Sequence, residues 1–435
     1  MTVKDMCLAA KAASLMLAGL DGDTKNKAIA AIADALQENA EEIASANMMD
    51  LKAATGLAQP VLKRLKYDTA KIAASIEGLH SLEGLADPVG MTLAATELDK
   101  GLDLYRVSCP IGVIGVVFES RPDALVQISS LCLKSGNAVL MKGGSEALNT
   151  NRKLAQIVHD ASVAAGAPDG WIQLLESRAD VSEMLKQDEY IDLIVPRGSN
   201  AFVKYIMENT DIPVMGHADG ICHVYVDDAA DIEMAVKVAV DSKTQYVSVC
   251  NAMETLLVHK DIASAFLPKA SAALRAKGVR LLGCEETRGI IEAEPATDAD
   301  WDTEYLDYIL SIKVVASLDE AIAHINEHGS GHTDSIVTSN PAHAARFTSL
   351  VDSADVFWNC STRFADGFRF GLGAEVGIST GKIHARGPVG LEGLCTYKWI
   401  LKGNGDLVAD FADGKRHFAH RRIDGEVKDI FKEEN

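Results

Sequence analysis

A thiol set among polar residues is the first group in this sequence able to bond covalently to a carbonyl carbon. Cys250 stands in Q-Y-V-S-V-C-N-A-M-E-T-L-L-V-H, with Asn251 beside it. A thiol at a loop-to-structure transition between two α/β halves is placed to attack a bound carbonyl. The chain holds eight cysteines, at positions 7, 109, 132, 222, 250, 284, 360 and 395. No two form a C-x-x-C pair, so neither a metal site nor a disulfide framework is expected. Scattered cysteines mark a reducing, cytoplasmic setting and serve mostly as small buried hydrophobes. Composition alone does not set Cys250 above the other seven.

Three further segments carry ligand-binding residue types. The stretch 111–144 runs from an apolar segment into Glu119-Ser120-Arg121-Pro122, then from a second one into Lys142-Gly143-Gly144-Ser145. Paired glycines allow close backbone approach and Lys142 adds a positive charge, which suits a nucleotide. Two ordinary glycine turns would read the same way, since no G-x-G-x-x-G or P-loop pattern is present. Arg197-Gly198-Ser199-Asn200 follows an apolar run directly, as a plain helix cap or as an N-terminus facing a phosphate. The region 359–394 is rich in glycine and carries Arg363, Arg369, Glu375, Lys382, His384 and Arg386. These charges suit an anionic or zwitterionic ligand, a subunit contact, or both.

The elements that must position these groups follow from length and periodicity. At 435 residues, with 48% hydrophobic and 24% charged, the chain can bury two or three cores. Its net charge of -20 disfavours nucleic acid and acidic membrane surfaces as partners. No apolar run approaches membrane-span length. Residues 1–98 read as mostly helix. From 105 onward, apolar runs at 111–118, 138–141, 172–175, 191–195 and 221–226 alternate with helix-length stretches. A second alternation runs through 255–258, 279–282, 312–315 and 335–338, with 284–308 as a loop excursion and a late strand near 397–401. Such alternation predicts α/β domains with parallel sheets covered on both faces.

The segments G-V-I-G-V-V-F-E-S-R-P-D, L-K-S-G-N-A-V-L-M-K-G-G-S-E-A, V-P-R-G-S-N, V-C-N-A-M-E-T-L-L-V-H, S-T-R-F-A-D-G and F-G-L-G-A-E-V-G-I-S-T-G-K-I-H-A-R-G-P-V-G-L occur in this order. Together they resemble the gamma-glutamyl phosphate reductase family, within the aldehyde dehydrogenase superfamily. The resemblance spans roughly residues 10–420. It implies a dinucleotide-binding domain over 1–228, a catalytic domain over 229–370, and a substrate and oligomerisation segment with a tail over 371–435. A strand excursion near 99–110 is expected to serve a homodimer or homotetramer.

The implied reaction is NADPH-dependent reduction of L-glutamyl 5-phosphate to the semialdehyde, with glutamate 5-kinase as an implied partner. Cys250 matches the thioacyl nucleophile, and Asn251 is grouped with it. Ser120 falls where the superfamily places an oxyanion-hole Asn. Lys142, Gly143, Gly144 and Ser145 match the adenosine side of the cofactor site. Ser145 replaces the Glu of NAD-preferring members, which favours NADP(H). Gly198, Ser199 and Glu304 match the nicotinamide side, and Arg121, Arg363, Glu375 and Arg386 are the expected substrate clamp. His217 stands where aldehyde-oxidising members carry the water-activating Glu. Backbone N–H groups at a structural terminus are expected to favour the Cys250 thiolate.

Overall fold

The computed structural model describes residues 1–57 and 59–428. The tail expected beyond 428 lies outside the described residues. Five helices, from Val3–Leu17 to Thr69–Glu83, form the N-terminal layer. Their starts are written in the sequence: Thr2, Asp21 and Asp68 each accept a backbone N–H of the first turn. The helical reading of 1–98 fails at its end, because β1 (Thr92–Asp99) is a strand that turns into β2 (Leu102–Pro110).

A four-stranded parallel sheet follows, made of β3 (Val113–Phe118), β4 (Ala138–Lys142), β5 (Ile172–Leu175) and β6 (Leu193–Arg197) in the order β5-β4-β3-β6. Every residue of β3 and β4 is buried, as expected for strands covered on both faces.

A seven-stranded parallel sheet then comprises β7 (Cys222–Val226), β8 (Met253–His259), β9 (Arg280–Gly283), β10 (Glu294–Pro295), β11 (Ile309–Val315), β12 (Thr333–Val337) and β13 (Asp355–Trp358). Its order is β10-β9-β11-β8-β7-β12-β13. The sequence places 221–226 with the first half, but β7 pairs with β8 and β12. An apolar run declares a buried strand without declaring its sheet, because parallel partners are distant in sequence.

Two short strands, β14 (Gly377–Ser379) and β15 (Gly387–Val389), pair in the glycine-rich region. An antiparallel arm joins β16 (Cys395–Lys402) and β17 (Arg421–Arg422) to the β1–β2 hairpin in the order β16-β2-β1-β17. The expected architecture of two parallel α/β sheets plus a small separate element is the one observed.

Candidate active site

Cys250 lies in the turn between the helix Ile232–Thr244 and β8, closed by an N–H of Ala252 donating to the Val249 carbonyl. No helix begins at Cys250, so a helix terminus does not supply its N–H groups. Three adjacent parallel strands, β8, β7 and β12, instead bring their amino ends together. Gly220 precedes β7 and packs on the Cys250 backbone: a Cβ there would fall 2.2 Å from the Cys250 carbonyl oxygen and 2.4 Å from its Cα. His332 precedes β12, and its Nε2 lies 3.2 Å from the Cys250 Sγ. His217 meets His332 edge-on, with ring centroids 4.8 Å apart. Sγ and one nitrogen of each ring lie within 4.8 Å of one another.

His217 has a fixed tautomer. Its Nδ1 is 2.8 Å from the Ile378 carbonyl, which only accepts, so Nδ1 carries the proton. Burial holds its pKa below the usual histidine range, leaving a neutral ring. Asn251 is buried. Its Nδ2 donates to the Ala365 carbonyl, and its own carbonyl accepts from the Thr362 hydroxyl. It ties the nucleophile turn to the 362–365 loop. Beneath the turn, Lys243 and Glu254 form a fully buried ion pair. Glu254 also accepts the Leu306 N–H, which anchors the loop bearing Glu304.

The expected cofactor residues sit at the carboxyl edge of the four-stranded sheet. Ser120 follows β3 in a left-handed conformation (φ 44°), and both its N–H and its hydroxyl donate to Glu146. The expected oxyanion donor is therefore engaged by a carboxylate. Lys142 ends β4; burial lowers its pKa, while Glu146, Arg178, Glu119 and Asp180 supply the surrounding charge. On the side-chain face of Gly143 and Gly144, a Cβ would fall 2.0 Å from the Asn151 amide or the Glu146 carboxylate. Close approach at these glycines is to protein side chains. Ser145 is exposed. Past β6, Ser199 precedes the helix Asn200–Glu208, and its N–H donates to Glu119. Gly198 packs against Glu119 and Phe202. Asn200 donates to both Asp219 and Glu304, and burial raises the Glu304 pKa.

These groups fit a phosphorylated dinucleotide in their chemistry. Lys142 and Arg178 are neighbouring cations, and Ser145, close to Lys142 in sequence, is neutral and exposed. The helix N-terminus at Ser199 already holds one anionic oxygen, that of Glu119.

Of the expected substrate clamp, Arg121, Glu375 and Arg363 gather around Arg197 and Cys250, while Arg386 is tied elsewhere. Arg363 is buried, donates to Gln245, and is coupled electrostatically to Arg369 and Cys250. Glu375 accepts the Gly367 N–H, and burial raises its pKa. Arg121 is exposed at the start of the helix Pro122–Lys134, in the field of Arg197. Arg386 instead clasps Asp352 through its side chain and carbonyl. Sequence reasoning passed over two groups near the thiol. Arg197, inside a quoted motif, donates to the Val376 carbonyl and interacts with Glu375 and Cys250. His332, 82 residues from Cys250, carries no local signal; only the β8-β7-β12 strand order brings it in.

The aldehyde dehydrogenase family model matches residues 1–280. A gamma-glutamyl phosphate reductase from Acetivibrio thermocellus is 62% identical over 97% of this chain and 99% of its own length. One from Pelotomaculum thermopropionicum is 63% identical over 97% and 98%. The crystal structure of a Thermotoga maritima gamma-glutamyl phosphate reductase, 41% identical, superposes with a TM-score of 0.92 over 94% of this chain and all of that one. An acetylating aldehyde dehydrogenase from Geobacillus thermoglucosidasius shares the fold at 20% identity, with a TM-score of 0.65 over 93% and 97%. With near-complete coverage at this identity, the chain belongs to the gamma-glutamyl phosphate reductases of the aldehyde dehydrogenase family.

Proposed function

We propose that this chain reduces L-glutamyl 5-phosphate to L-glutamate 5-semialdehyde and phosphate, with NADPH, through a thioester on Cys250. This is the second step of proline biosynthesis, in the cytoplasm. The observation that carries the reading is His217. The family resemblance sets it where aldehyde-oxidising members carry the hydrolytic Glu; its Nδ1–H is turned to Ile378, and burial holds its pKa below the usual histidine range, which makes it a weak base toward water. Without a carboxylate base there, the thioester is left to exchange with phosphate.

Binding and orientation come from the chain. Arg121, Arg197 and Arg363 offer cations for phosphate and carboxylate, and Glu375 offers a carboxylate for the ammonium. Lys142 and Ser145 would favour the 2′-phosphate of NADPH, while Gly198, Ser199 and Glu304 would hold the nicotinamide half. When bound, the cofactor supplies the hydride. The oxyanion formed at the acyl carbon needs N–H donors near Cys250, with Ser120 available once Glu146 releases it.

Association into a homodimer or homotetramer is part of the reading. β16 presents Tyr397, Trp399 and Leu401 on one face, each more than half exposed. Glutamate 5-kinase is the proposed upstream partner, since an acyl phosphate hydrolyses readily in water.

The reverse reaction tests the proposal. Purified protein with glutamate semialdehyde, phosphate and NADP⁺ should form NADPH, and omitting phosphate should stop it. Cys250→Ser should lose at least about 10³-fold in rate. NADPH formation that depends on CoA and not on phosphate, or that survives Cys250→Ser, would overturn the reading.

A further inference from the structure

We propose that His332 is a catalytic residue that takes and returns the Cys250 proton, positioned by a Thr333–Asp355 hydrogen-bond chain. The inference rests on the reading of Cys250 as nucleophile and adds the group that manages its proton.

The hydrogen bonds have a direction. Thr333 Oγ1 donates to Asp355 Oδ2 at 3.4 Å. A hydroxyl has one hydrogen, so Oγ1 accepts from the His332 Nδ1–H, 2.7 Å away. The lone pair of His332 is thereby placed on Nε2, 3.2 Å from Sγ. A thiol facing an imidazole lone pair can pass its proton directly. Both residues beyond the ring are anchored by the sheet. Thr333 pairs with Asp355 in the β12–β13 register, and the Asp355 N–H donates to the His332 carbonyl. His332 is fully buried, so its ring is fixed in place by packing.

The titratable and charged groups facing the sulfur come from five segments. They are His332 before β12, His217 before β7, Cys222 on β7, Arg197 at the end of β6, and Arg363 after β13. Cys222 Sγ donates to the Cys250 carbonyl, not to its thiol. Among the described residues, His332 is the side chain hydrogen-bonded to Sγ.

The proton balance is then complete. In acylation the Sγ–C bond forms and the C–O bond to phosphate breaks. The thiol proton passes to His332 Nε2 and leaves on the departing phosphate. In reduction, for which a bound nicotinamide would supply the hydride, a C–H bond forms at the acyl carbon and the C–S bond breaks. The thiolate recovers a proton from His332, which draws it from solvent.

Alkylation of Cys250 by iodoacetamide, read by mass spectrometry of its peptide across pH 5–10, tests this without any substrate. In His332→Gln the midpoint should move to higher pH, and the rate at pH 7 should fall at least about tenfold. Thr333→Val should fall between the two, and Thr333→Ser should restore the wild-type profile. In His332→Ala, added imidazole should recover part of both alkylation and turnover. An unchanged profile in a His332→Gln protein with wild-type circular dichroism and melting would overturn the proposal, as would absence of imidazole rescue in folded His332→Ala. Failure of phosphate-dependent turnover in the wild type would sink the reductase reading instead, and would leave the alkylation result standing.

Discussion

The two parallel sheets face the site with opposite ends of their strands. The four-stranded sheet offers its carboxyl edge, where Lys142 ends a strand and Ser120 and Ser199 each stand two residues past one. The seven-stranded sheet offers its amino edge, where Gly220, Cys250 and His332 each precede one. At the first edge, polar donors are held by carboxylates: Glu146 on Ser120 and Glu119 on Ser199. At the second, a thiol meets a histidine, and that histidine is oriented by a threonine. One edge is furnished to hold anionic oxygen, the other to manage a proton. The division suits a reaction that binds a phosphorylated cofactor on one side and makes and breaks a thioester on the other.

The strongest way to break this division is to unsettle the floor of the amino edge. Lys243 and Glu254 are both fully buried and bonded to each other. Lys243→Met leaves the carboxylate unpaired and should cost about 3–5 kcal/mol in urea unfolding. The double change to two apolar residues should recover most of that loss. A cost below about 1 kcal/mol for the single change would show that water reaches the pair.

The amino edge also depends on one close approach. Gly220→Ala would drive a methyl group into the Cys250 backbone. Displacement of the nucleophile by a fraction of an ångström should lower kcat about 100-fold with a smaller effect on KM. Equal effects on both constants would place the damage in substrate binding. At the carboxyl edge, Lys142→Met should raise KM for NADPH about tenfold and leave NADH use nearly unchanged, since only the 2′-phosphate needs the charge. Equal loss with both cofactors would assign Lys142 to another part of the dinucleotide.

The two edges also differ in how far the sequence reveals them. A carboxyl-edge group lies within a few residues of the strand that presents it, so Ser120, Lys142 and Ser199 could be located by reading forward from an apolar run. The amino-edge cluster is assembled by strand order. Cys250 and His332 are adjacent only because β7 sits between β8 and β12, and no local periodicity encodes that order. The same limit hides the place of 221–226 in the second sheet. Strand β13 gives no clear signal, because Asp355–Trp358 opens on a charge and its other three residues are not fully buried. Ser120 and the Gly143-Gly144 pair were placed correctly along the chain. Their contacts were not foreseen, because Glu146 and Asn151 are unremarkable residues of the next turn and helix. The charge of Arg386 suggests a ligand, whereas its tie to Asp352 depends on a loop packing that composition does not carry.

The smallest expected effect separates stability from chemistry at the amino edge. Burial raises the Asp355 carboxyl from the ordinary 3.8 to about 6, partly offset by the Thr333 hydroxyl and by Arg386. Between these two values the folded protein binds more protons than the unfolded chain, so stability falls as pH rises through that window. Above pH 6 the ionised carboxylate is a standing cost, at most about 3 kcal/mol. Asp355→Asn removes the charge while its carbonyl still accepts from Thr333. The amide's unpartnered N–H groups return about 1–2 kcal/mol of that gain. The variant should therefore be about 1 kcal/mol more stable at pH 7.5, with a flatter stability profile between pH 4 and 6. With the negative end of the hydrogen-bond chain gone, kcat should fall a few-fold. Denaturant titrations at several pH values, run beside the turnover assay, measure both. A variant that gains stability and keeps full activity would show that Asp355 only packs there; one that loses both would make it a structural ligand of the β12–β13 pair.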